Sequence, residues 1–82
     1  MNQEKQNQFS ETYRAQLKAC AEEGLYEWPK ENADAIATKM LNGLFTNPGG
    51  VNFDSPAFKR TCKALGIKHT RKAIVEFLGG AA

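Results

Sequence analysis

Residues 29–45, PKENADAIATKMLNGLF, carry the strongest helical pattern in the chain. Its apolar side chains recur at three- and four-residue steps, which places them on one face of an α-helix. They are Ala33, Ile36, Ala37, Met40, Leu41 and Leu44. Pro29 suits the first helical position, because an N–H group there would have no partner within the helix. We expect a core helix over residues 29–45.

Upstream of this stretch, the spacing of apolar residues predicts a helix over 10–23. Ser10 can cap its first turn, and Gly24 can end it in a left-handed conformation. The side chains expected to face inward follow Phe9 at helical steps and include Tyr13, Leu17 and Cys20. Residues 1–8 carry no apolar side chain after Met1, so we expect a mobile polar N-terminus.

Downstream, capping residues predict two shorter helices. The Ser-Pro pair at 55–56 favours a helix over 56–65, with serine as the cap and proline at the first helical position. Gly66 fits the left-handed residue that closes this helix. Thr70 can then cap a fourth helix over 71–78.

These patterns predict an all-α fold, a compact single-domain bundle of about four helices spanning residues 9–80. No segment of the 82-residue chain shows the alternation typical of a β-strand. A domain of this size buries only about 60–65% of its unfolded surface, which leaves little room for a deep substrate cavity. Ten side chains should form one core: Phe9, Tyr13, Leu17, Ile36, Met40, Leu44, Phe58, Leu65, Ile74 and Phe77.

Charge is distributed unevenly along the chain. Residues 1–56 have a net charge of −3 and residues 57–82 a net charge of +5, which the overall value of +2 conceals. The cations of the second part are Lys59, Arg60, Lys63, Lys68, Arg71 and Lys72, against the single acid Glu76. A basic segment beside an acidic one favours a surface that binds a polyanion, although a run of charges can also simply be solvated.

Within the same segment, Cys62 is a small residue four before the expected turn glycine, Gly66, and the apolar Ile67 follows that glycine. Thr70 can cap a helix in which the aliphatic Ile74 lies four residues after the cap. In this arrangement residues 55–78 resemble a helix-turn-helix. The stretch from Gly66 to Thr70 is about two residues longer than the family's tight turn, so it is also similar to the SAP helix–extended loop–helix module. Both families bind DNA.

The resemblance and the charge together predict a small DNA-binding protein, with transcription regulation as its use. The expected contacts come from Lys59, Arg60, Lys63, Lys68, His69, Thr70, Arg71 and Lys72. The cations would meet phosphates, together with the first-turn N–H groups of the last helix. Thr70 would position that helix, and His69 would lend a hydrogen bond. The exposed side of residues 71–78 offers no Asn or Gln for adenine, so we expect phosphate contact more than base reading. A homodimer would double the footprint.

Enzymatic activity is not expected. His69 is the only histidine, and Cys62 should face the core seven residues before it, so the two do not predict a nucleophile and its base. Cys20 and Cys62 show no metal-ligand spacing and should be free, packed thiols. We therefore expect no cofactor and no metal.

The alternative is a protein–protein interaction module, such as a small adaptor or inhibitor without nucleic-acid binding. Four apolar residues in the connectors, Tyr26, Trp28, Val51 and Phe53, either close the ends of the core or form an exposed patch for a partner. The polar start and the lack of a membrane-length apolar run predict a cytoplasmic protein with no membrane partner. The small helical domain would suit a phage or mobile element.

Overall fold

The expected all-α fold is confirmed. A computed structural model describes residues 3–47 and 50–79 and contains no β-strand within them. Its elements are α1 (Gln3–Glu22), a short 3₁₀ turn (Lys30–Asn32), α2 (Ala33–Thr46), α3 (Pro56–Leu65) and α4 (Arg71–Phe77). The two C-terminal helices agree with their expected bounds to within one residue, while α1 and α2 start elsewhere.

Helix α1 begins at Gln3, so the prediction that Ser10 caps it is wrong. Ser10 lies inside the helix because the inward face continues one turn earlier, to the buried Gln6. The Gln3 side-chain amide also donates to the Asn7 Oδ1 at 3.0 Å, a pairing that supports a helix at i, i+4. Helix α1 therefore crosses the expected boundary between residues 8 and 9. The mobility of residues 1–8 stays a prediction, and the first two of them lie outside the described residues.

Helix α2 starts later than expected, and Pro29 is not its first residue. Pro29 is extended, with φ −75° and ψ 159°. The Asn32 N–H donates to the Pro29 carbonyl at 2.9 Å, which closes a 3₁₀ turn before the α-helical ladder begins at Ala33. Tight turns of this kind are frequent at helix N-termini.

The core forms around α1, whose contact with α3 is the most extensive and whose contact with α2 comes next. Of the ten expected core residues, Phe9, Tyr13, Leu17, Leu44, Phe58 and Ile74 are fully buried. The other four, Ile36, Met40, Leu65 and Phe77, are half-buried and pack against that core. On α2 the innermost face is instead made by Ala33, Ala37, Leu41 and Leu44. The buried face of α2 is thus rotated about the helix axis relative to the expected one, which leaves Ile36 and Met40 at the edge of that face.

Aromatic rings fill the space between α1 and α3. The rings of Tyr13 and Phe58 have centroids 4.7 Å apart, and Phe53 meets Phe58 edge-on at 5.2 Å. Val51 and Phe53 are buried, while Tyr26 and Trp28 are half-buried against the core. These four residues therefore close the core rather than form the exposed patch of the alternative hypothesis.

Candidate nucleic-acid interface

Helix α3 separates a buried side from a basic one. Its buried residues are Ala57, Phe58, Thr61 and Cys62. Lys59 and Lys63 lie on the other side and are exposed. Because they are four residues apart, their side chains project from adjacent turns of one helix face. This side of α3 can follow a line of phosphates.

The first turn of α3 has no backbone donor left for a phosphate. Ser55 Oγ accepts from the Phe58 N–H at 3.4 Å, and the Tyr26 hydroxyl accepts from the Ala57 N–H at 3.3 Å. Pro56 has no N–H to offer. Any anion contact on this helix must therefore come from side chains.

The turn between α3 and α4 has the predicted local geometry. Gly66 has φ +70°, and the Ile67 N–H donates to the Cys62 carbonyl at 2.9 Å, which completes a Schellman motif. Thr70 Oγ1 accepts from the Ala73 N–H at 3.1 Å and caps α4 as expected. Since α4 has only seven residues, its dipole is small, and the side chains around its start provide most of the positive charge.

Phe53 and Asp54 tie the start of α4 to the start of α3. The His69 Nε2–H donates to the Phe53 carbonyl, and the Arg71 guanidinium lies 5.6 Å from the centroid of the Phe53 ring. The next residue, Asp54, is 3.6 Å from the Lys59 ammonium. These contacts place Arg71 and Lys59 beside two adjacent loop residues, Phe53 and Asp54. They also commit His69 Nε2 to the loop, so a bond from His69 to phosphate would have to come from Nδ1.

Arg60, one of the expected phosphate contacts, pairs with an acidic side chain of the protein itself. Its guanidinium makes two hydrogen bonds to the Glu23 carboxylate, at 2.6 and 2.7 Å, and joins α3 to the end of α1. These bonds hold the pKa of Glu23 below its ordinary value and raise the pKa of Arg60. Arg60 is therefore paired within the protein.

The remaining cations of the segment are exposed: Lys59, Lys63, Lys68, Arg71 and Lys72. Within the described residues, Lys63, Lys68 and Lys72 make no ion pair. The pair between Lys59 and Asp54 is long and its side chains are 61% and 82% exposed, so it gives way easily to a competing anion. We call these five residues the basic surface.

The helix pair of the basic surface depends on α1. Among the described residues, the most extensive contact between two helices is that of α1 with α3, whereas α4 joins the core through buried Ile74 and Leu78. Phe77 of α4 also meets Phe9 of α1, with ring centroids 6.4 Å apart. The segment 55–78 is therefore completed by α1 and is not a self-contained unit.

A second arginine also joins two helices, although the sequence pattern did not predict it. Arg14 donates to the Asp34 carboxylate at 2.7 Å and to the Thr38 hydroxyl at 2.8 Å, which fastens α1 to α2. Its partners are 20 and 24 residues away, and no local pattern marks them.

The thiols are poorly suited to chemistry. Cys20 and Cys62 are both free and buried, as expected. Burial raises the pKa of each thiol, which disfavours the nucleophilic thiolate. Among the residues that the structure describes, no group of His, Cys, Asp and Glu side chains could hold a metal ion.

Comparison with known proteins adds no family to this geometry: no protein-family model, curated protein or solved structure matches the chain. None of the described helices combines the length and apolar character needed to cross a membrane.

Proposed function

We propose that the basic surface binds duplex DNA through its phosphates and that the protein regulates transcription. The observation that supports this most directly is the exposure of Lys59, Lys63, Lys68, Arg71 and Lys72 on α3, the following turn and the start of α4. Phosphates are the natural partner of such cations, and phosphate contacts fix the position of a protein on duplex DNA.

The number of available cations sets the expected salt dependence. Five contacts predict that the logarithm of affinity falls with the logarithm of salt concentration at a slope of about −4.5, because each phosphate contributes about −0.9. Pairing of Arg60 with Glu23 is the reason for expecting five contacts and not six.

The test is a salt titration on a fluorescently labelled duplex, followed by fluorescence anisotropy. Lys63→Gln and Lys68→Gln should each flatten the slope by about 0.9 and leave the thermal melt unchanged. Lys18→Gln is the matched control, because Lys18 is an exposed cation of α1 outside the basic surface. Absence of binding at about 50 mM salt with micromolar protein would disprove the proposal.

Regulation of transcription further requires that the protein prefer some sequences. A selection from random duplexes, repeated at rising salt, should enrich a common site. Binding that is equal across all duplexes would keep the phosphate contacts but remove the regulatory role.

A further inference from the structure

An apolar groove runs along the flank of α2, on a part of the chain that the basic surface does not use. It has a volume of about 580 Å³. Ile36, Met40 and Gly43 of α2 line it together with Val51 of the following loop. Lys39 and Asn52 supply its polar groups. Ile36 and Met40 are the two expected core residues that the rotation of α2 leaves half-buried. We call this feature the α2 groove.

Gly43 lines the α2 groove, and neither its backbone conformation nor its packing requires a glycine. It lies within α2, and the glycines with positive φ are other ones, so its backbone does not require glycine. Among the described residues, a Cβ atom on Gly43 would come within 4.0 Å of the Val51 Cγ2 alone, which is an ordinary contact distance. Packing therefore accepts alanine here, and alanine would favour the helix. The space above Gly43 is room for a side chain from outside.

The spacing of the α2 residues that line the groove fits a helical segment. Ile36 and Gly43 are seven residues apart, which is about 10 Å along a helix axis, or two turns. An amphipathic helix presents apolar side chains at i, i+3 or i+4, and i+7 over that same length. One such side chain could enter the space above Gly43, while its neighbours contact Ile36, Met40 and Val51.

Lys39 gives the α2 groove a positive charge and therefore favours an acidic partner. It is an exposed cation in the α2 groove, and it makes none of the ion pairs found among the described residues. An acidic side chain beside the apolar ones would complement it. A second copy of this chain fits less well, because a two-fold contact centred on the groove would bring two Lys39 ammonium groups together.

We propose that the α2 groove binds an acidic amphipathic helical segment of another protein. This inference is independent of DNA binding, since the two surfaces share no residue. It also gives the interaction hypothesis a specific location, which includes Val51 but none of the other three connector residues, Tyr26, Trp28 and Phe53.

The first test selects displayed 16-residue random peptides on the wild-type protein and, in parallel, on Gly43→Leu, whose side chain fills the groove. Peptides enriched on the wild type should carry apolar residues at i, i+4 and i+7 with an adjacent Asp or Glu. Synthetic copies should lose about tenfold or more of their affinity for Gly43→Leu in fluorescence anisotropy. A thermal melt and a circular dichroism spectrum establish that this variant folds.

The second test exchanges charge across the contact. Lys39→Glu should weaken the acidic peptides about fivefold, and replacing the peptide acid by lysine should restore binding to that variant. Lys18→Glu is the control for net charge and should bind like the wild type. The pair of variants Lys63→Gln and Lys68→Gln should also keep peptide binding while weakening DNA binding, which separates the two proposals.

Three results would overturn the inference. One is a selection that enriches no peptide on the wild type over Gly43→Leu. Another is that the enriched peptides show no charge exchange with Lys39→Glu. The third is a wild-type dimer in sedimentation that Gly43→Leu abolishes, since the occupant would then be a second copy of this chain.

Discussion

Gly66 and Gly43 show how the same residue type takes opposite energetic roles at two positions. Gly66 has φ +70°, and no atom of the described residues lies within 4 Å of the position that a Cβ would take, so a side chain there costs only the left-handed backbone penalty. Gly66→Ala should therefore lower the free energy of unfolding by about 1–2 kcal/mol. Gly43→Ala, in a helical backbone with space for a methyl group, should raise it by about 0.5–1 kcal/mol.

Urea denaturation of the two alanine variants measures both effects against the wild type. Equal midpoints for Gly66→Ala and the wild type would mean that α3 ends without a left-handed residue. A loss of stability in Gly43→Ala would show that Val51 packs against the glycine more tightly than its 4.0 Å distance indicates.

The first turn of α3 is hydrogen-bonded to a residue of a connector. The Tyr26 hydroxyl accepts from the Ala57 N–H, while the Tyr26 ring stacks on Trp28 with centroids 4.8 Å apart. Tyr26→Phe keeps the ring and removes the acceptor, so it should cost about 0.5–1.5 kcal/mol of stability. The measurement is urea denaturation. Trp28 fluorescence, which should be nearly unchanged, reports that the stack is retained.

Helix α2 offers a comparison between its inner face and its flank. Leu44 is 1% exposed, so Leu44→Ala should cost about 2–5 kcal/mol. Met40 is half-buried in the α2 groove, and Met40→Ala should cost distinctly less, because part of the truncated side chain already meets solvent. Thermal melts of the two variants test this order. Equal losses would place Met40 in the core and remove the groove.

The sequence predicted a helix end correctly where that end is fixed by hydrogen bonds between residues close together in the chain. Gly66 and Thr70 each act on backbone groups within four residues, so their roles could be predicted from local chemistry. Ser10 has the chemistry of a cap, but the buried face of α1 continues past it, and packing decided the helix start. The pair of Arg60 and Glu23 joins residues 37 apart, which no local pattern reveals. The sequence therefore predicted which cations the segment carries, but it could not predict that Arg60 pairs with Glu23.

At the scale of the whole molecule, the acidic and basic parts of the chain meet at that pair. Glu23 directly follows α1 in the part with net charge −3, and Arg60 belongs to the part with net charge +5. The pKa of Glu23 is lowered in the folded protein, so the pair stabilises the fold fully above the ordinary carboxyl pKa of about 4.3. That contribution is lost as pH falls through the lowered value.

Glu23→Ala should therefore destabilise the protein at pH 7 and strengthen its binding to DNA. The stability difference from wild type should shrink as pH falls below about 4, because the wild-type carboxyl then takes up its proton. Meanwhile Arg60, freed from its partner, should add a sixth phosphate contact and steepen the salt slope from about −4.5 to about −5.4.

Glu22→Ala is the matched control: it removes the same charge from a neighbouring exposed residue that makes no ion pair among the described ones. A steeper slope in both variants would trace the gain to net charge alone. An unchanged slope in Glu23→Ala, with the melt lowered as expected, would place Arg60 away from the path of the DNA backbone.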